Sequence, residues 1–214
     1  GLPITLESHG RPELFDDVDT TRLVGWCTSQ FPLRLTVDAA ASGIDAIKSI
    51  KEQVRSVPHL GVGFGVLSYL ADAEIGAGLR AFPSPPVLFN YLGQVSGMVT
   101  ADASWMPVLD GVPGDVSPTQ ERSHLLEVNA MVAEGALSVT WSYSTEEFLP
   151  TTIERLAATF ITELHELVSA TASASGPQFT PSDFPAARID QDALAVLWDS
   201  SALESFSCNA YRGR

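Results

Sequence analysis

The chain is poor in cysteine, in basic residues and in long apolar runs. It has two cysteines in 214 residues, Cys27 and Cys208. That is too few for a disulfide framework, and no CxxC or Cys/His spacing suggests a metal site. A reducing compartment, the cytoplasm, fits this usage. Twelve Lys and Arg stand against 26 Asp and Glu, a net charge of −14. A surface this acidic repels phosphate backbones and anionic lipid heads, so neither nucleic acid nor a membrane surface is an expected partner. No apolar run approaches the roughly 20 residues that span a bilayer. The N-terminal residues, with no Met and no basic n-region, read as the inside of a strand rather than a signal peptide, and imply a fragment.

What remains is a globular composition, 45% apolar. At this length a domain buries roughly 70% of its unfolded surface. Residues 3–9 alternate, with Ile4, Leu6 and Ser8 on one side and Thr5, Glu7 and His9 on a polar side facing water or a cleft. Residues 24–37 read as a second strand, with Cys27 as core filler, interrupted or bulged near Pro32. Residues 42–57 form a helix capped by Ser42. A glycine-rich turn at 61–65, a short helix at 66–70 and a loop at 77–86 follow. Residues 87–92 are apolar on both sides, as in a central strand, and an edge strand is placed near 105–109. Residues 124–132 and 136–144 flank Glu134-Gly135 as a hairpin whose second arm points Leu137, Val139, Trp141 and Tyr143 inward. Ile153, Leu156, Phe160, Leu164 and Leu167 recur at helical spacing across 151–171. A short helix at 190–198 and an unstructured tail complete an α/β (α+β) pattern: a mixed sheet flanked by helices.

Several segments resemble, in order, the motifs of the epimerization domains of nonribosomal peptide synthetases, which belong to the condensation-domain superfamily. Leu6-Glu7-Ser8-His9-Gly10-Arg11 resembles Glu-Gly-His-Gly-Arg. The stretch from Thr21 through Gly25-Trp26-Cys27-Thr28 to Phe31-Pro32 resembles Arg-Thr-Val-Gly-Trp-Phe-Thr…Tyr-Pro. Pro58-His59-Leu60-Gly61-Val62-Gly63-Phe64-Gly65 is similar to Pro-x-x-Gly-x-Gly-Tyr-Gly, and Phe89-Asn90-Tyr91-Leu92-Gly93-Gln94 matches Phe-Asn-Tyr-Leu-Gly-Gln. Thr180-Pro181-Ser182-Asp183-Phe184 resembles the segment leading to the next module. The departures are Ser8 for Gly, Pro12 for an acidic residue, Cys27 for Phe, and Phe31 and Phe64 for Tyr.

The resemblance implies one lobe, the C-terminal one, of a chloramphenicol-acetyltransferase-like two-lobed fold over residues 1–176, with 177–214 as inter-domain linker and tail. It implies inversion at Cα of an aminoacyl or peptidyl thioester, carried on the 4′-phosphopantetheine arm of a peptidyl carrier protein, with no cofactor or metal of its own. Glu7 is the implied acid/base, facing a histidine of the N-terminal lobe. The family's His-His-x-x-x-Asp-Gly motif belongs to that lobe, and the four histidines here include no His-His pair. Asn90 and Tyr91 are the implied partners of the thioester carbonyl, one or both. His9 and Trp26 are assigned to substrate binding, although a hydrogen bond within the turn is the commoner role for His9. Arg11 and Arg22 are expected to pair with acids such as Asp16, Asp17 or Asp19, and His124 and His165 to be structural or exposed. The glycines at 61–65 lack the lysine of a phosphate loop, which excludes nucleotide binding. Two alternatives remain: a condensation lobe forming peptide bonds, and a non-catalytic remnant that docks a carrier.

Overall fold

A computed structural model of the chain describes residues 1–94, 117, 120–174, 176 and 178–198. The chain divides into two compact units, one made of Gly1–Thr36 and Val57–Glu163, the other of Val37–Ser56 and the chain from Leu164 onward.

The first unit is built on a five-stranded mixed sheet. Its strands are β1 (Leu2–Ser8), β2 (Ser29–Leu35), β3 (Val87–Gln94), β4 (Leu126–Ala133) and β5 (Ala136–Tyr143), in spatial order β2-β1-β3-β4-β5. β3 lies centrally and runs parallel to both β1 and β4, while β2 and β5 pair antiparallel at the edges. The mixed sheet flanked by helices is the expected architecture. β4 and β5 are joined by a two-residue loop whose Glu134 and Gly135 both have positive φ, 52° and 78°. Such a loop matches the twist of the strands it joins, and glycine at its second position avoids a Cβ penalty.

Register places apolar residues of all five strands on one face. Val87 pairs with Leu126, Phe89 with Val128, and Val128 with Trp141. Ile153 of α4 (Pro150–Ser173) inserts among them, with Val139, Tyr143 and Phe148 around it. Trp141 meets Phe160 edge-on at 5.8 Å. At the β2 end the same face carries Phe31, paired with Leu6 and buried. Its ring lies where a Cβ on Gly61 would stand, so only glycine, here at φ 80°, fits that turn.

Several local expectations are corrected. Pro32 produces no bulge; the β1–β2 register runs unbroken from Leu2↔Leu35 to Ser8↔Ser29. β2 is an edge strand, where a missing N–H is tolerated. Cys27 and Trp26 precede β2 in irregular backbone, so Cys27 is not strand filler. The glycine-rich turn is confined to Pro58–Gly61, and Gly63 and Gly65 lie inside α2 (Val62–Tyr69). The loop expected at 77–86 is helical over its first residues, where α3 (Ala73–Ala81) ends. Its Ala, Glu, Leu and Arg favour a helix, and Gly76 sits where a side chain would meet the Ser68 carbonyl. The strand expected at 105–109 and the tail from 199 lie outside the described residues.

The second unit contains α1 (Gly43–Arg55), a 3-10 turn (Pro181–Asp183) and α5 (Gln191–Trp198). Ser42 caps α1 as expected, its hydroxyl accepting from the Asp45 N–H. Thr180, fully buried, and Asp183 form a capping box. Asp183 also accepts from Lys51 Nζ at 2.5 Å and Arg55 Nη1 at 2.6 Å, holding the turn against α1.

Candidate active site

The sheet face opposite α4 is polar. Strand alternation assigns it Thr5 and Glu7 from β1, Gln30 from β2, Leu88 and Asn90 from β3, Glu127 and Asn129 from β4, and Thr140 from β5. Glu7 pairs directly with Gln30, and its Oε1 accepts from Gln30 Nε2 at 2.6 Å. Glu7 as a residue is partly buried. Thr5 is level with Leu88 on the neighbouring strand, so two residues on Glu7 and Asn90 share one face of adjacent strands. Asn90 Nδ2 donates to Asn129 Oδ1 at 3.1 Å, across the pair Asn90↔Asn129. A primary amide has a second N–H, so Asn90 remains chemically able to donate to a substrate oxygen.

The other sequence-selected residues separate from this pair. Tyr91 alternates to the opposite face from Asn90 and is 53% exposed. β1 ends at Ser8, and exposed His9 accepts from the Arg11 N–H through Nδ1 at 3.0 Å, the expected bond within the turn. Trp26 is 96% exposed in the loop between β1 and β2. Among the described residues Arg11 is not held by an acid. Its Nη2 donates to the Gly25 and Leu23 carbonyls at 2.7 and 3.3 Å, tying that loop to the end of β1. Asp19 accepts from the Thr21 hydroxyl and N–H, which lower its pKa.

Two residues of this face were not singled out in the sequence, Gln30 and Asn129; His124 was expected to be structural or exposed, and it is buried and hydrogen-bonded. Asn129 was legible as a polar register, since Glu127 and Asn129 alternate with Leu126, Val128 and Ala130. His124 is buried just ahead of β4, its Nε2 2.9 Å from Thr5 Oγ1 and its Nδ1 3.1 Å from Ser123 Oγ. Burial pushes its pKa below the ordinary value and Arg122 acts the same way, against the opposing pull of Glu127 and Glu7. Arg122 is held nearby by Glu127 at 3.2 Å and by the Ser142 carbonyl.

The face therefore offers a carboxylate with one neutral donor and an amide fixed beside it. A carboxylate so placed can take or return a proton, and an amide N–H can stabilise charge developing on an oxygen. Among the described residues no cluster of three or more His, Cys, Asp or Glu is placed to hold a metal. Among them, too, no single helix is long and apolar enough to cross a membrane.

Comparison with known proteins gives the family of the chain. Residues 2–189 match the family model described as Condensation domain. The chain is 41% identical over 194 residues to one of the linear gramicidin synthase proteins of Brevibacillus parabrevis, covering 90% of this chain and 2% of that protein. It is 34% identical over 198 residues to bacitracin synthase 3 of Bacillus licheniformis, covering 92% of this chain and 3% of that protein. In structure it is similar to the epimerization domain from the third module of tyrocidine synthetase B, with a TM-score of 0.66 and 32% identity over 79% of this chain and 37% of that one. The chain thus spans a small fraction of these synthases and just over a third of the solved domain.

Proposed function

The chain belongs to the condensation-domain family, and from that premise we propose that it is the C-terminal lobe of an epimerization domain in a nonribosomal peptide synthetase. The observation that carries this reading is the half-buried Glu7 on the polar face with Asn90 on the adjacent strand. Likeness to a solved epimerization domain supports it.

The substrate is an aminoacyl or peptidyl thioester on the 4′-phosphopantetheine arm of a peptidyl carrier protein, in the cytoplasm. Glu7 takes the Cα proton as the C–H electron pair moves toward the thioester carbonyl. The oxygen gains negative charge, and the second Asn90 N–H donates to it. Collapse of this enolate with a proton delivered to the opposite face inverts Cα. That second proton needs a group across the substrate, which the N-terminal lobe supplies. Residues 1–176 form the lobe and 177–214 lead onward. His9 and Trp26, at the end of β1 and in the loop that follows, are assigned to the incoming substrate. Of the pair Asn90 and Tyr91, Asn90 carries the carbonyl role, because Tyr91 faces away.

A second reading follows from the family model: a condensation lobe joining two carrier-bound thioesters. Cα exchange in deuterated water separates them. The two-lobed protein with a loaded carrier exchanges its Cα proton, and Glu7→Gln slows this about 10²- to 10⁴-fold. Full-rate exchange in Glu7→Gln overturns the assignment. Peptide-bond formation without exchange selects condensation. The 214-residue chain alone is expected to exchange nothing, leaving it as a lobe that docks a carrier.

A further inference from the structure

His124 is 6% exposed and takes no part in the reaction above. It nonetheless belongs to the same polar face. Its Nε2 meets the hydroxyl of Thr5, the residue two positions before Glu7 on β1, and its Nδ1 meets the hydroxyl of Ser123. A hydroxyl can donate or accept. The ring can therefore gain or lose a proton without leaving either nitrogen unpartnered. Among the described residues its charged neighbours are Glu7 from β1, Glu127 from β4, and Arg122 from the segment before β4.

We propose that His124 is a positioning residue for Glu7: it braces β1 through Thr5, and the charge on its ring tunes the basicity of the Glu7 carboxylate. The catalytic consequence rests on the epimerase reading; the coupling of the two groups does not. Opposite charges stabilise one another, and the effect is reciprocal. A protonated His124 holds Glu7 in its carboxylate form and weakens it as a base. A neutral His124 leaves it stronger. Cα exchange thus falls on the acid side as His124 takes up its proton.

Two measurements test this. The first is an NMR titration of the imidazole resonances in the full chain, unsubstituted and with Glu7→Gln or Glu127→Gln. Both substitutions remove a charge and keep the side-chain shape. Glu7→Gln is expected to lower the His124 midpoint by on the order of half a pH unit, as for a charge several ångströms away in a mixed dielectric. A midpoint moved by Glu127→Gln and unmoved by Glu7→Gln overturns the inference. The second is the pH profile of Cα exchange in the two-lobed protein, where His124→Gln flattens the acid-side fall. An unchanged profile also overturns the inference. A coupled titration in a two-lobed protein that never exchanges Cα protons sinks the epimerase reading and leaves the coupling standing.

Discussion

Two polar clusters in this chain are built from similar side chains and end in opposite states. On the α1 clasp Asp183 and Glu52 are each held by more than one donor. Asp183 accepts from Lys51, Arg55 and the Thr180 N–H. Glu52 accepts from the Ser182 hydroxyl at 2.5 Å and from its N–H. On the sheet face Glu7 has one neutral donor, Gln30, and no cation among the described contacts. Lys51 and Arg55 hold the Asp183 carboxyl well below the usual carboxylate range. Burial pushes Glu52 up, and the hydrogen bonds from Ser182 and Thr180, helped by Lys51, bring it below its ordinary value. A carboxylate held this firmly ionised is a poor base. The cluster with unfilled capacity is the one able to handle protons.

Breaking the clasp gives the largest stability effect. Asp183→Asn removes both ion pairs while leaving an amide oxygen able to accept from the Thr180 N–H, so the chain unfolds at lower temperature. The native clasp contributes fully above the ordinary carboxylate value of about 4 and is lost as pH falls through the depressed value. Acid unfolding followed by circular dichroism therefore loses part of its pH dependence in Asp183→Asn. Thr180→Ala removes the cap hydroxyl alone, at a cost of about 1 kcal/mol in denaturant melts. On the other cluster, Asn129→Ala costs up to about 1 kcal/mol for its hydrogen bond, and slows Cα exchange by releasing Asn90. Glu7→Gln has the smallest effect on stability, within about 0.5 kcal/mol, while slowing Cα exchange the most. A large stability loss there would place Glu7 with the clasp and undo the contrast.

The two clusters were unequally legible. Strand and helix periodicity carried β1, β5 and α4, and the Glu134-Gly135 turn carried the hairpin, because each depends on neighbours within a few residues. The motif resemblance pointed to Glu7 and Asn90. α3 was hidden by Gly76 and Gly78; the cost of Gly76 is offset by its close approach to Ser68 of α2. The clasp was invisible as a contact: Lys51 and Asp183 are 132 positions apart, and nothing local marks the pairing. The contact of His124 with Thr5 was unreadable for a similar reason, since the two are 119 positions apart.

The topology of the sheet also bears on how the molecule comes together in time. The β4–β5 hairpin closes over two residues, so its pairing needs little loop-closure entropy. β1 and β3 pair in parallel across more than 80 residues, Ile4 to Val87. Contacts that distant form slowly. The hairpin and α4 can therefore organise early, while Glu7 comes beside Asn90 only when β1 docks. In a chain made from its N-terminus on a ribosome, β1 emerges before its partner β3 exists. The face that carries the chemistry is thus among the last parts to be assembled, and a substitution that delays β1 docking would show first as lost activity in an otherwise helical, partly folded protein.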